Sequence, residues 1–228
     1  MQSASEPPQG LPVAIPAGSV VLEGALEVSD GRRGVVLFAH GSGSSRHSPR
    51  NRFVARSLRE AGLATLLIDL LTVEEERSDA ATGRLRFDIR LLAGRLAGIT
   101  DWLGAHPETR GLPIGYFGAS TGAAAALVAA AQRPAMVAAI VSRGGRPDLA
   151  RPHLSAVRAP ALFIVGERDL AVLDVTRAAM RELPGVTQLA MIAGASHLFE
   201  EPGALEEVAR LAREWLARHL APPASGGS

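Results

Sequence analysis

Short, fully apolar runs that alternate with longer runs of helical spacing constrain this chain more than any other feature. Residues 34–39, 63–68, the run before Ser120, 136–142, 160–165 and 187–193 lack a period-two pattern, as strands buried on both faces do. Between them lie helical patterns over 49–62, opened by Pro49, and over about 86–105, 121–132, 173–183 and 202–220. Repetition of strand, helix, strand dictates parallel crossovers, so the chain is expected to be α/β, with a mostly parallel central sheet and helices on both faces. Val20 to Val28 also has strand composition and ends at the turn Ser29-Asp30-Gly31. It is expected to pair antiparallel with the 34–39 strand at one sheet edge.

No internal repeat or long linker interrupts the pattern, so one domain is expected over 19–220, with 1–18 an N-terminal extension and the Pro/Gly/Ser-rich 221–228 a flexible tail. The connection 71–87 is the longest and carries Glu74-Glu75-Glu76. It reads as a solvated loop rather than a metal site, because adjacent carboxylates need not converge. The stretch 143–159 is too short for a large cap over the sheet.

Composition narrows the chemistry. All 24 basic residues are Arg, against 23 acidic residues, for a net charge of +1. Interspersed charge of this kind makes no field for nucleic acid or an anionic membrane. Without Lys there is no Schiff base or phosphate-loop lysine, and without Cys no thiol nucleophile, disulfide or thiolate metal site. Serine is left as the covalent nucleophile, and no cofactor or metal is called for. The start of the chain lacks a basic, then apolar, leader pattern, which reads as a soluble cytoplasmic protein.

The segment from Leu112 to Ala126 runs from a strand through Gly118-Ala119-Ser120-Thr121-Gly122 into an alanine-rich helix. Gly-x-Ser-x-Gly at a strand-to-helix turn is a nucleophile elbow: the strained turn exposes the serine, and the glycines let strand and helix approach. In an open parallel sheet ligands sit at the carboxyl ends of the strands. Those ends read His40-Gly41-Ser42-Gly43, Asp69, Ser120, Arg143-Gly144-Gly145-Arg146, Asp169 and His197. Acyl transfer needs a nucleophile, a base and a carboxylate that orients the base, and Ser120, His197 and Asp169 fit these roles. The bland alternatives are a helix N-cap for Ser120, a satisfied buried histidine for His197, and a helix cap for Asp169 with Asp174 as rival acid. Asp69 reads as a capping or loop-positioning residue.

The order Ser120, Asp169, His197 along this alternation resembles the α/β-hydrolase family, and the compact scheme without a large cap resembles its dienelactone-hydrolase-related branch. The resemblance covers about Val20 to Leu220. It departs in one respect: dienelactone hydrolases use a cysteine where this chain has Ser120, so lactone specificity is not carried over and a cofactor-free serine esterase is implied. The oxyanion hole implied is the backbone N–H of Thr121 with that of Ser42, while His40 is structural and Gly41 permits the turn. Because both donors are backbone groups, Thr121→Ala is expected to cost little. Another acyl bond (thioester, lactone or peptide), or a non-catalytic ligand-binding role, would use the same residues. Arg46, Arg143 and Arg146 follow strand ends and are candidates for gripping a carboxylate on a small-molecule ester; the alternative is that they pair with Glu74 to Glu76 or face solvent. A site without a lid is expected to prefer short, water-soluble acyl esters.

Overall fold

The computed structural model describes residues 10–28 and 30–220. The expected tail, the first nine residues of the expected N-terminal extension and Ser29 of the expected turn lie outside the described residues. An eight-stranded sheet forms the centre: β1 (Leu11–Ala17), β2 (Val20–Glu27), β3 (Val35–Ala39), β4 (Ala64–Ile68), β5 (Ile114–Ala119), β6 (Val137–Arg143), β7 (Ala161–Gly166) and β8 (Thr187–Ile192), in the spatial order β1-β2-β4-β3-β5-β6-β7-β8.

The sheet is parallel from β4 through β8, as the alternation dictates, and antiparallel across β1–β2 and β2–β4. Two expectations are corrected here. Strand β2 pairs with β1 and β4 rather than with β3, and the sheet begins at Leu11, inside the stretch read as an extension. The β1–β2 hairpin closes through Gly18-Ser19, with Gly18 at φ 66°, the positive angle that the first position of a type II′ turn requires. Pro12 and Pro16, four residues apart, direct their nitrogens to the same side of β1, which an edge strand tolerates on its open side.

Helices α1 (Pro49–Glu60) and α6 (Ala204–His219) cover one face, and α3 (Ile89–Ala105) with α4 (Thr121–Gln132) the other. Strand β3 shows why both faces are dry. Val35 and Leu37 pack toward Leu96, Ile99 and the alanines of α4, while Val36 and Phe38 pack toward Val54, Leu58, Trp215 and Leu216. The alanine run of α4 is buried throughout its length, which lets that helix lie close against the sheet.

The connection 71–87 is not a loop as expected. It holds the short helix α2 (Val73–Asp79), nucleated by a capping box in which Thr72 and Glu75 satisfy each other's backbone amides. Glu75 also takes two hydrogen bonds from Arg95, and this pairing pulls its pKa down. Helix α3 starts at Ile89 rather than near 86 because Asp88 caps it through the Leu91 amide. The stretch between β6 and β7 is a 3₁₀ helix (Pro147–Ala156) that tucks Ala150 and Leu154 into the core beside α4, so no cap domain rises there. Helix α5 (Leu170–Met180) starts at once after Asp169.

Candidate active site

Ser120 stands between β5 and α4 at φ 50°, ψ −121°, a region that L residues other than glycine rarely occupy. The two flanking glycines are dictated by space. A Cβ on Gly122 would lie 2.3 Å from the Ala39 carbonyl oxygen and 2.4 Å from that of His40, and one on Gly118 would lie 2.5 Å from Ala123 Cα. Ser120 occupies the N-cap position of α4, yet its side chain caps nothing. The capping alternative is thereby removed, and the hydroxyl is left for other use.

Asp169 repeats this pattern. It sits at the N-cap of α5 without a side-chain cap bond, and its Oδ2 instead meets His197 Nδ1 at 2.6 Å. Asp174, the rival acid, is exposed on α5. A carboxylate on Nδ1 holds the proton there and leaves Nε2 as the basic nitrogen. The loops carrying acid and base are packed tightly together: a Cβ on Gly166 would fall 2.5 Å from the Ala195 carbonyl oxygen. Ser120 and His197 meet the same piece of backbone. The Ser120 amide donates to the Arg143 carbonyl at 3.2 Å, and His197 Cε1 lies 3.4 Å from where a Cβ on the next residue, Gly144, would stand. Among the described residues no hydrogen bond joins Ser120 Oγ to His197, a looseness common in apo sites before substrate is held.

The loop after β3 wraps the elbow closely, since a Cβ on Gly41 would be 3.1 Å from Ser120 Cβ. His40 is structural, as expected. Its Nε2 accepts the Leu70 amide at 3.0 Å, so its proton is on Nδ1, which donates to the Gly41 carbonyl at 3.0 Å. The expected oxyanion pair differs in one respect. The Ser42 amide donates to Thr121 Oγ1 at 2.9 Å, so its N–H is engaged by the Thr121 side chain, which sequence reads as dispensable, and the loop after β3 is tied to the elbow. Beside this loop opens a cleft of about 620 Å³, lined among others by Ser42, Arg50, Leu71, Glu76, Arg86 and Thr121. Its far wall is the 71–88 segment, organised around Asp79. Burial opposes ionisation of Asp79, but hydrogen bonds from the Arg86 side chain, the Leu85 and Arg86 amides and Thr82 outweigh it and lower its pKa to about 2.

The three candidate arginines part company. Arg46 is tied to Asp69, which accepts both its amide and its guanidinium, and to Glu23; Arg146 is paired with Asp148 through two hydrogen bonds. Each is thus engaged by a carboxylate of the protein, and neither pairs with Glu74 to Glu76. Asp69 is thus the loop-positioning residue expected. Arg143 alone has no carboxylate partner among the described residues and is only 9% exposed, its guanidinium carbon 5.7 Å from the centre of the Phe199 ring. Burial, and then the charge of Arg50, lower its pKa to about 10, which leaves it a cation at neutral pH. Arg50 itself lies in the first turn of α1 and reaches Glu200 at 2.8 Å.

A sheet of this topology, with a serine at the turn after β5 and an aspartate and a histidine on the loops after β7 and β8, is the architecture of the α/β-hydrolases. A model of the alpha/beta hydrolase domain matches residues 32–212. The crystal structure of a dienelactone hydrolase from Anabaena variabilis superposes with a TM-score of 0.91 at 59% identity, covering 93% of this chain and 98% of that one. The chain belongs to the α/β-hydrolase family and is dienelactone-hydrolase-like. A serine hydrolase without lid from Xanthomonas campestris, 21% identical, matches in fold with a TM-score of 0.74 over 98% of this chain and 100% of its own. A Mycobacterium tuberculosis protein whose name proposes a phosphoribosyl transferase is 55% identical over all 228 residues of this chain, which are 51% of its own length. The chain thus spans about half of that curated relative. No helix among the described residues is long and apolar enough to cross a membrane.

Proposed function

We propose that this chain is a cofactor-free serine hydrolase that cleaves carboxylic esters through an acyl-enzyme on Ser120. The observation that carries the proposal is the pairing of a strained, uncapped Ser120 with a base whose Nδ1 is held by Asp169. Ser120 Oγ attacks the acyl carbonyl while His197 Nε2 takes its proton; Asp169 stabilises the imidazolium, and the Thr121 amide receives the oxyanion, joined by the Ser42 amide as its N–H turns from Thr121 Oγ1 to the stronger acceptor. His197 then protonates the departing alcohol, activates water, and the same steps in reverse release the acid. The open cleft favours short, water-soluble acyl groups, and a cytoplasmic location belongs to the same proposal. We assign the phosphoribosyl transfer in the relative's name to the half of that protein that this chain does not match, because the strand ends here furnish a nucleophile, base and acid.

The test is hydrolysis of p-nitrophenyl esters from two to twelve acyl carbons by wild type and Ser120→Ala. Activity that declines with chain length and disappears in the variant is the expected result. A variant as active as wild type would overturn the nucleophile. An inactive wild type that also resists labelling by an organophosphonate would favour a ligand-binding homologue, and labelling without ester turnover would favour a thioester, lactone or peptide bond.

A further inference from the structure

A guanidinium withdrawn from water without a counter-charge costs several kcal/mol, and proteins normally pair it. At Arg143 the described residues offer no such pairing. Its Nε is sealed from solvent with no acceptor; neither terminal nitrogen has a protein acceptor, and neither is sealed as Nε is. What lies beside it adds to its charge. Arg50 is near enough to lower the pKa of Arg143, and the Nε of Arg50 is likewise buried without a partner. Arg50 gives one hydrogen bond, from Nη1, to a carboxylate, Glu200, in a half-exposed contact.

The position of the pair matters as much as its charge. The carbonyl of Arg143 receives the Ser120 amide; the residue after it packs on the His197 ring; and its guanidinium lies by Phe199, two residues past the base. Arg50 lines the cleft that opens beside the Ser42 and Thr121 amides. The excess positive charge is therefore held between the catalytic loops and the cleft.

We propose that Arg143, assisted by Arg50, is an anion-binding site, and that the esters this enzyme cleaves carry a carboxylate or phosphate group that docks there. The substrate class rests on the hydrolase proposed above, whereas the anion site does not. A planar guanidinium with two free terminal nitrogens suits either oxyanion, since both accept paired N–H donors. The counter-charge missing from the protein is then supplied by the substrate, and a neutral ester leaves the cation unpaired.

The experiment has two arms. In the first, thermal unfolding is followed with increasing benzoate or phenyl phosphate at constant ionic strength. Wild type is expected to gain Tm with at least one of them, Arg143→Met to lose that gain, and Arg50→Met to show a smaller one; the responding anion tells carboxylate from phosphate. No gain in wild type, or an equal gain in Arg143→Met, overturns the site. In the second arm, kcat/KM is compared for 4-acetoxybenzoate, 4-acetoxyphenyl phosphate and methyl 4-acetoxybenzoate. The anionic ester matching the first arm is expected to be preferred by at least about tenfold, the effect of one charge-assisted hydrogen bond, and the preference to disappear in Arg143→Met. Equal turnover of charged and neutral esters overturns the substrate class. Failure to cleave all three overturns the esterase proposal and leaves the first arm to decide the anion site. If Arg143→Met does not fold, Arg143→Lys, which keeps the cation but loses the paired N–H donors, and Arg50→Met, which removes the assisting charge, carry both arms: each is expected to reduce the Tm gain and the anionic preference, and values equal to wild type in both variants overturn the site.

Discussion

The amide of Ser42 donates to the hydroxyl of Thr121 across 2.9 Å, binding the loop after β3 to the first residue of α4. The Thr121 side chain thus fixes the backbone of Ser42, and these are the two residues proposed to supply the oxyanion donors. Thr121→Val, which keeps the shape and removes the acceptor, is expected to lower kcat by about tenfold with little change in KM, part of the loss expected when an oxyanion donor is removed outright. Thr121→Ser keeps the acceptor and is expected to stay near wild type. An unchanged kcat in the valine variant would show the contact to be incidental.

Strain at Ser120 sets stability against activity. A non-glycine residue in this backbone region costs on the order of 1–3 kcal/mol, and glycine escapes most of it. Ser120→Gly is expected to raise unfolding free energy by about 1 kcal/mol while abolishing ester cleavage. Denaturant midpoints of the two proteins, at equal m-values, check this; a destabilised variant would mean that the hydroxyl supports the fold.

Glycines in this chain divide by what a methyl group would meet. Gly122→Ala drives a Cβ into two carbonyl oxygens that cannot yield, and is expected to cost about 3 kcal/mol, the upper end of ordinary overpacking, together with loss of activity. Gly98, inside α3, has nothing within 4 Å of its Cβ position, so Gly98→Ala is expected to stabilise by about 0.5–1 kcal/mol. Opposite signs from the same chemical change would be read directly from thermal unfolding.

Asp79 ties the cleft wall to pH. Its folded pKa of about 2 lies below the ordinary carboxylate value of about 3.9, so its contribution is complete above that value and is lost as pH falls toward 2. Wild type is therefore expected to lose Tm between about pH 4 and pH 2 more steeply than Asp79→Asn, which lacks the charge throughout. Parallel Tm profiles would show that the carboxylate does not stabilise the 71–88 segment.

Chain order and local apolar runs made the parallel strands legible, and with them the strand-end positions of Ser120, Asp169 and His197, because both are properties of contiguous segments: a buried strand announces itself by continuous apolar residues, and each of the three follows one. Strand β1 was hidden by Pro12 and Pro16, although Gly18-Ser19 was a hairpin signal. The neighbour of β2 was misread because pairing across the sheet is a long-range property that adjacency in sequence only biases. Helix α2 was obscured by its acidic run, whose order comes from a capping box and from Arg95, twenty positions away. The arginines looked alike in sequence. Only the fold separates Arg46 and Arg146, which have carboxylate partners, from Arg143, which has none among the described residues.

The wall of the cleft and the candidate catalytic residues have separate supports. Thr72, Glu75 and Asp79 satisfy the 71–88 segment largely from within and through Arg95, whereas Ser120, Asp169 and His197 stand on β5, β7 and β8. An insertion, deletion or exchange confined to that segment would reshape what the cleft admits while the proposed triad keeps its footing. Selectivity in this architecture is a transplantable trait, able to diverge among descendants at a rate that the chemistry beneath it does not share.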